Sequence, residues 1–402
     1  MRRLCAAALA LAALCSFQAA PAPAQPSPLQ RNLARALRVP HVSPARSAAL
    51  AIDLSTGRTL FAQNDALPLE PASNEKLPLT YALLATLGPS YRIETDVLGE
   101  GQQEGTLWRG DLVVKGYGDP KLSSAGLRQL AAQVRSAGIR RVSGEVAGDE
   151  TWFDARRTGP GWKPSFYINE SPPLSALTVD RDRVHGWIAR NPALGAAIAF
   201  RDALRAQGIT VAGPSSTRAA DDLAVPLAAI ESPPLGALVR SMDRESDNFT
   251  AEILLKELGA VESGRGTTAA GAAVVAQTLA DAGVPLAGVR IADGSGLSRL
   301  DRLTADALVA LLKETWAQPT LRSAFLAALP VAGLNGTLQD RMRRPPARGN
   351  VVAKTGTTSE ASALSGYVRR HYAFAVLQNG SPLPYWWARV AQDRFATILA
   401  AH

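Results

Sequence analysis

The chain has 402 residues, 47% of them hydrophobic, and a formal net charge of +8. That length can bury a large packed core, and no stretch beyond the N-terminus is long and apolar enough for a transmembrane helix. Basic residues are scattered apart from Arg140-Arg141 and Arg341-Met342-Arg343-Arg344, with no interleaved aromatics, which argues against nucleic-acid binding. The surplus suits contact with an anionic cell-wall polymer or membrane surface, and it reads equally as a solvated arginine surface.

The N-terminus comes first. Met1-Arg2-Arg3 precedes a short apolar run, Leu4 to Phe17, and Ala22-Pro23-Ala24 offers a cleavage site before Gln25. This predicts a cleaved export signal over residues 1–24 and a periplasmic or otherwise exported mature chain. Both cysteines, Cys5 and Cys15, fall inside it, so the mature chain is expected to hold no disulfide. Gln30 to Leu37 then reads as a short helix. Ala48 to Asp53 and Arg58 to Ala62 read as strands around the turn Ser55-Thr56-Gly57.

An apolar run from Leu77 to Leu87 predicts a buried helix, with Pro78 tolerable only in its first turn. From about Tyr91 to Pro234 the pattern changes. Strands and helices alternate there: Asp111 to Lys115, Gly126 to Ala137, Gly144 to Ala147 and Ala193 to Gln207. This predicts an inserted domain over 91–234, bounded by Gly88-Pro89 and Ser232-Pro233-Pro234 and projecting beside the rest. Two helical stretches follow, Leu235 to Met242 and Phe249 to Leu258. Val351-Val352-Ala353 begins a strand, Gly366 to Leu377 reads as another, Asn379-Gly380 as a turn and Tyr385 to Ala400 as an amphipathic helix.

Three short motifs punctuate these elements: Ser73-Asn74-Glu75-Lys76, Ser246-Asp247-Asn248 and Lys354-Thr355-Gly356. Taken singly, they read as a helix N-cap, a capping turn and a strand end. Together and in this order they are the parts of a serine acyl-transfer site in which lysine moves the protons. A serine hydroxyl needs a base within hydrogen-bond reach, and Lys76 lies one helical turn from Ser73. Ser246 and Asn248 occupy a tight interhelical loop, where short polar side chains can point into a cleft. Gly356 lets a substrate backbone approach the strand, which can take up a peptide as a further β-strand. His41, His185, His371 and His402 show no metal-ligand spacing, Gly116-x-Gly118 is too short for a dinucleotide loop, and no metal or cofactor is expected.

The chain resembles the class C low-molecular-mass penicillin-binding proteins, the D-alanyl-D-alanine carboxypeptidase/endopeptidase family. Pro71 to Lys76, Gly116-Tyr117-Gly118-Asp119-Pro120, Ser175-Ala176-Leu177, Asp293 to Arg299, Leu329 to Gly333 and Gly336-Thr337-Leu338 carry the likeness with the three motifs. The resemblance implies an α+β fold: a β-lactamase/transpeptidase-like domain over 25–90 and 235–402, its antiparallel sheet flanked by helices, with one smaller inserted α/β domain. It implies a serine DD-peptidase acting on peptidoglycan peptide stems, with β-lactams as covalent inhibitors. Ser73 would be the nucleophile, Lys76 its base, Ser246 a proton relay and Asn248 a holder of the substrate amide. The N–H groups of Ser73 and Thr357 would form the oxyanion hole. Lys354, Thr355 and Thr357 would hold the substrate carboxylate, with Gly356 leaving room. A serine β-lactamase or esterase on the same scaffold is the alternative. Family members often carry a third domain nested after a segment like Ser175 to Asp182. Only Arg183 to Asn191 stands there in this chain, so that domain is expected to be absent.

Overall fold

The computed structural model describes residues 25–402; the expected export signal and both cysteines lie outside the described residues. Helix α1 (Pro28–Leu37) starts at Ser27, whose hydroxyl and the Gln30 side chain cap each other's backbone N–H groups. An antiparallel hairpin, β1 (Ser47–Asp53) and β2 (Thr59–Gln63), follows. Helix α2 (Lys76–Thr86) is buried from Lys76 through Leu84, and apolar residues all round it make it a central element rather than a surface one. Pro78 falls in the first turn, where its missing N–H would have no intrahelical partner in any case.

The chain then leaves this body. Strands β3 (Glu94–Glu104) and β4 (Leu107–Gly116), helix α3 (Ser124–Ser136), β5 (Val146–Asp149), α4 (Pro192–Ala206), β6 (Ser215–Thr217) and β7 (Val225–Glu231) build a second sheet of order β6-β5-β4-β3-β7. Strand β3 is antiparallel to both its neighbours, β4 and β7, whereas β5 runs parallel to β4 and β6. Val97, Leu112, Val114, Leu127, Leu130 and Phe200 pack between this sheet and its two helices as a core of their own.

Helices α5 (Leu235–Glu245), α6 (Asn248–Ser263), α7 (Thr268–Asp281), α8 (Ala305–Ala317) and α9 (Pro319–Ala328) return to the first body. Strands β8 (Val351–Thr357), β9 (Ala361–Val368) and β10 (Tyr372–Asn379) and helix α10 (Tyr385–Ala401) close it. The sheet order is β8-β9-β10-β1-β2, every pair antiparallel, so the first hairpin pairs with the last strand. Side chains alternate between its faces. Leu50 and Ile52 join the core beneath α2, α5, α8 and α9, while Ala49 and Ala51 join Phe374, Val376 and Phe395 beneath α1 and α10. With both faces covered, β1 reads as an unbroken apolar run.

One expected strand is two. Gly366 to Leu377 breaks at a tight turn in which Arg369 (φ 51°) and Arg370 (φ 59°) are both left-handed, and β9 pairs with β10 across it. Such turns favour Asn-Gly. Two arginines carry no such signal, and the apolar alternation runs on past them.

Residues 152–182 pack against the first body. Phe153 and Leu174 share a core with Phe249 and Ile253 of α6. Arg181 Nη1 pairs with Asp247 Oδ2 at 2.6 Å, and Trp162 donates to Asp293 Oδ2 at 2.8 Å. The insert therefore walls one side of the cleft. Among the described residues, no helix is long and apolar enough to cross a membrane.

Candidate active site

The site begins with a strained residue. Ala72 is left-handed, with φ of 47°, a conformation that costs an alanine about 1 kcal/mol or more. It turns the chain into a short 3-10 turn, Ala72–Glu75, that runs into α2. Within this turn Ser73 is partly exposed while Ala72, Asn74, Glu75 and Lys76 are buried. Long-range bonds hold the segment. Asn74 Nδ2 donates to the Lys354 carbonyl at 3.1 Å, and Glu70 exchanges two bonds with the Asn379 side chain, each 2.9 Å.

Two glycines allow the close approach. A Cβ on Gly356 would lie 2.8 Å from the Pro71 carbonyl and 3.0 Å from the Ser73 nitrogen; one on Gly296 would lie 1.9 Å from the Ala72 carbonyl. Gly356 thus admits the Pro71–Ser73 segment itself.

Lys76 is fully buried. Its Nζ lies 3.2 Å from Ser73 Oγ, 2.9 Å from Asn248 Oδ1 and 2.7 Å from the Ser295 carbonyl. As an ammonium group it donates all three protons. As a neutral amine it keeps two for the oxygens that can only accept, Asn248 Oδ1 and Ser295 O, and its lone pair then faces the Ser73 hydroxyl. In that state the lone pair is placed to accept the Ser73 proton. Burial holds Lys76 below the ordinary lysine range, against the charges of Asp293, Asp243, Glu252 and Asp247.

The second lysine completes the cleft. Lys354 Nζ donates to Ser246 Oγ at 3.0 Å and to the Thr355 carbonyl at 2.9 Å. Burial first, and the charge of Lys76 second, lower Lys354 to about 7, while Asp243 opposes both. Ser246 reaches it because it ends α5 in the left-handed conformation, φ 58°. Asn248 is the first residue of α6, and Asp247 caps that helix through Phe249 N and Thr250 N. Asn248 Nδ2 reaches the Glu170 carbonyl at 3.4 Å.

Ser73, Lys76, Ser246, Asn248 and Lys354 therefore meet in one cleft. Thr355 stands apart: its hydroxyl donates to Thr337 Oγ1 at 2.7 Å and is mostly buried. Thr357 is exposed at the end of β8, the edge strand of its sheet, with its hydroxyl on the Gly356 carbonyl.

Sequence reasoning missed the groups that support these side chains. Asp243, fully buried on α5, accepts from Thr80 Oγ1 at 2.8 Å and is the counter-charge felt by both lysines. Burial pushes it up to about 6 even so. Glu252 accepts from Gly294 N and Ser295 N, and Asp293 from Ser295 N, Gly296 N and Ser298 N, which fixes the loop whose carbonyl holds Lys76. The spacing of Asp243 three residues before Ser246 was the available signal, one helical turn inward.

Glu75 is buried, and among the described residues neither of its carboxylate oxygens has a hydrogen-bond partner. Burial, then the neighbouring Asp293 and Glu252, raise its pKa well above the ordinary 4.5. Below pH 4.5 the group is neutral folded or unfolded. As pH rises past that value the unfolded chain ionises while the folded chain keeps its proton, and stability falls until the folded group also titrates. Each unit of upward shift costs about 1.4 kcal/mol at the alkaline end. Glu75→Gln is therefore expected to raise the melting temperature at pH 8 and to give little gain at pH 4.5. A gain independent of pH between these values would contradict the assignment.

A sheet covered on both faces, a buried helix carrying a Ser-x-x-Lys turn and a lysine strand at the sheet edge define the β-lactamase/transpeptidase-like α+β class. The D-Ala-D-Ala carboxypeptidase 3 (S13) family model matches residues 29–193 and 185–400. The chain belongs to this family, the class C low-molecular-mass penicillin-binding proteins. It is 31% identical over 462 residues to a D-alanyl-D-alanine carboxypeptidase of Actinomadura sp. (strain R39), covering 93% of this chain and 85% of the relative. Its fold matches the crystal structure of penicillin-binding protein 4 from Haemophilus influenzae with a TM-score of 0.83 at 22% identity, over 92% of this chain and 98% of that one. A predatory endopeptidase of Bdellovibrio bacteriovorus, solved acylated by penicillin G with its immunity protein, aligns with a TM-score of 0.55 at 18% identity over 87% and 90%. The two family matches meet over residues 185–193, at the short hairpin of Arg183–Val184 and Trp187–Ile188.

Proposed function

We propose that this chain is an exported serine DD-peptidase that hydrolyses the D-Ala-D-Ala bond of peptidoglycan stems through an acyl-enzyme on Ser73, with cross-link bonds as a second substrate. The observation that carries the reading is Lys76 Nζ, fully buried, 3.2 Å from Ser73 Oγ and tethered by two acceptors. In this mechanism neutral Lys76 takes the hydroxyl proton as Ser73 Oγ bonds to the scissile carbonyl carbon. The N–H groups of Ser73 and Thr357 hold the oxyanion. Collapse breaks the C–N bond, and Ser246, bonded to Lys354, relays the proton held by Lys76 to the leaving amine, which leaves Lys76 neutral again. Water then attacks the ester with its proton passing to Lys76, and that proton returns to Ser73 Oγ as the ester C–O bond breaks. Asn248 orients Lys76 and the substrate amide, and Lys354, Thr355 and Thr357 favour a carboxylate beyond the scissile bond. Residues 25–90 with 235–402 form the catalytic unit in this reading. Residues 91–234 are the insert, and in this reading the hairpin at 183–188 takes the place of the nested third domain that the family resemblance describes.

Penicillin places a strained amide and a carboxylate in the same relation and should acylate the same atom. Intact-mass analysis is expected to show one penicillin adduct on the wild type and none on Ser73→Ala. An adduct on another serine would sink the assignment. Rapid penicillin turnover without a lasting adduct would favour the β-lactamase alternative.

A further inference from the structure

We propose that Arg389 is a specificity-determining residue that binds the carboxylate α to the leaving amine, an inference that rests on the DD-peptidase reading above. Its guanidinium stands beside the exposed end of the lysine strand, with Nη2 3.4 Å from Thr357 Oγ1. The Nε atom is buried and has no hydrogen-bond partner among the described residues. Tyr385, one turn earlier on α10, lies under it with the ring centre 5.2 Å from Cζ. An aromatic face steadies a guanidinium but leaves its in-plane donors open. Arg389 is therefore a cation steadied by a ring, with unused hydrogen-bond capacity beside a catalytic strand.

The surroundings hold it in that place. Gln392, three residues on and on the same face of α10, is fully buried and donates to Ser362 Oγ at 2.9 Å and Gln378 Oε1 at 3.2 Å. Ser362 pairs in register with Thr357. The helix is thus pinned to the strand that neighbours Thr357, so Arg389 has a fixed address at the strand end rather than a free surface swing.

The site also needs such a charge. Lys354 is buried, spends donors on Ser246 and the Thr355 carbonyl, and titrates near neutrality. The Thr355 hydroxyl is engaged with Thr337. Neither supplies a permanent cation facing solvent. A guanidinium presents a planar, delocalised cationic fork that matches a carboxylate. A substrate carboxylate that accepts from the Thr357 hydroxyl would come within reach of the guanidinium.

The test compares a charged with a neutral group at that position. An N-acylated peptide ending in D-Ala-D-Ala and the same peptide ending in a carboxamide are turned over by wild type, Arg389→Ala and Arg389→Lys. A lost charge-assisted hydrogen bond is worth roughly 1.5–3 kcal/mol, so kcat/KM of Arg389→Ala on the free acid should fall about ten- to hundredfold. Carboxamide turnover should change less than about twofold, and Arg389→Lys should recover part of the loss. Where the carboxamide is too slow to follow, acylation by penicillin and by its methyl ester, read as intact mass, makes the same comparison. Equal losses on acid and neutral partner, or no loss on the acid, would overturn the role of Arg389 while Ser73 acylation in the wild type left the DD-peptidase reading standing. A wild type that is neither acylated nor active on either peptide would overturn both.

Discussion

Lys76→Ala is expected to slow acylation of Ser73 by penicillin by about a thousandfold or more at every pH, within the range of a lost general base. The expectation follows from the lone-pair geometry: once Asn248 Oδ1 and Ser295 O have taken two protons, the third direction of Nζ points at Ser73 Oγ. Nothing else basic touches that oxygen among the described residues. Lys354→Ala should behave differently. It removes the charge that repels Lys76 and leaves Asp243 to act on Lys76 alone. Both changes make Lys76 hold its proton to higher pH, so the acidic limb of the acylation profile moves upward while substrate binding weakens. Stopped-flow acylation across pH on both variants separates the roles. Near wild-type rates in Lys76→Ala would end the lysine-base mechanism.

Gly296→Ala should be the most damaging single methyl in the site. The backbone there has φ of 80°, and the new Cβ would stand 1.9 Å from the Ala72 carbonyl and 3.0 Å from Ser73 N. The left-handed penalty is about 1–2 kcal/mol, and overpacking adds about 1–3. The only relief is to push away the turn that aims Ser73. Loss of several degrees in melting temperature and at least a hundredfold in acylation rate is expected. Ala72→Gly supplies the contrast: φ of 47° suits glycine, so that variant should keep its stability within about 1 kcal/mol and still acylate. A fully active Gly296→Ala would show that the nucleophile turn is softer than its contacts imply.

How much of this could be read from the chain depends on the range of each interaction. The helix after Ser73 and the strand into Lys354 were legible because local apolar patterning and the motif residues report them directly. The fold class followed from the motifs and family segments. The Arg369-Arg370 turn was illegible because its residues lack the chemistry that marks left-handed turns, and tertiary pairing of β9 with β10 imposes it. Asp243, Glu252 and the Ser295 carbonyl were illegible for another reason. Each looks like an ordinary helix or loop residue until chain segments far apart in sequence come together. The wall supplied by Arg181 to Asp247 belongs to the same kind.

That range has a consequence for how the molecule comes to be active. Asn74 bonds a residue 280 positions away, Glu70 one 309 away, and Lys76 is tethered by Asn248 at 172 and Ser295 at 219. Strand β1 finds its neighbour only in β10 on one side, so the sheet cannot close until the last strand exists. Contacts of such separation carry a large loop-closure cost and slow folding. A nascent chain that has already displayed Ser73 does not yet hold Lys76 against Asn248 and Ser295, and has no Lys354 strand for Asn74 to bond. On the DD-peptidase reading proposed above, the site is complete only once the C-terminal strands have joined the sheet, so acylation by penicillin is expected to gauge the fraction of chains that has closed it.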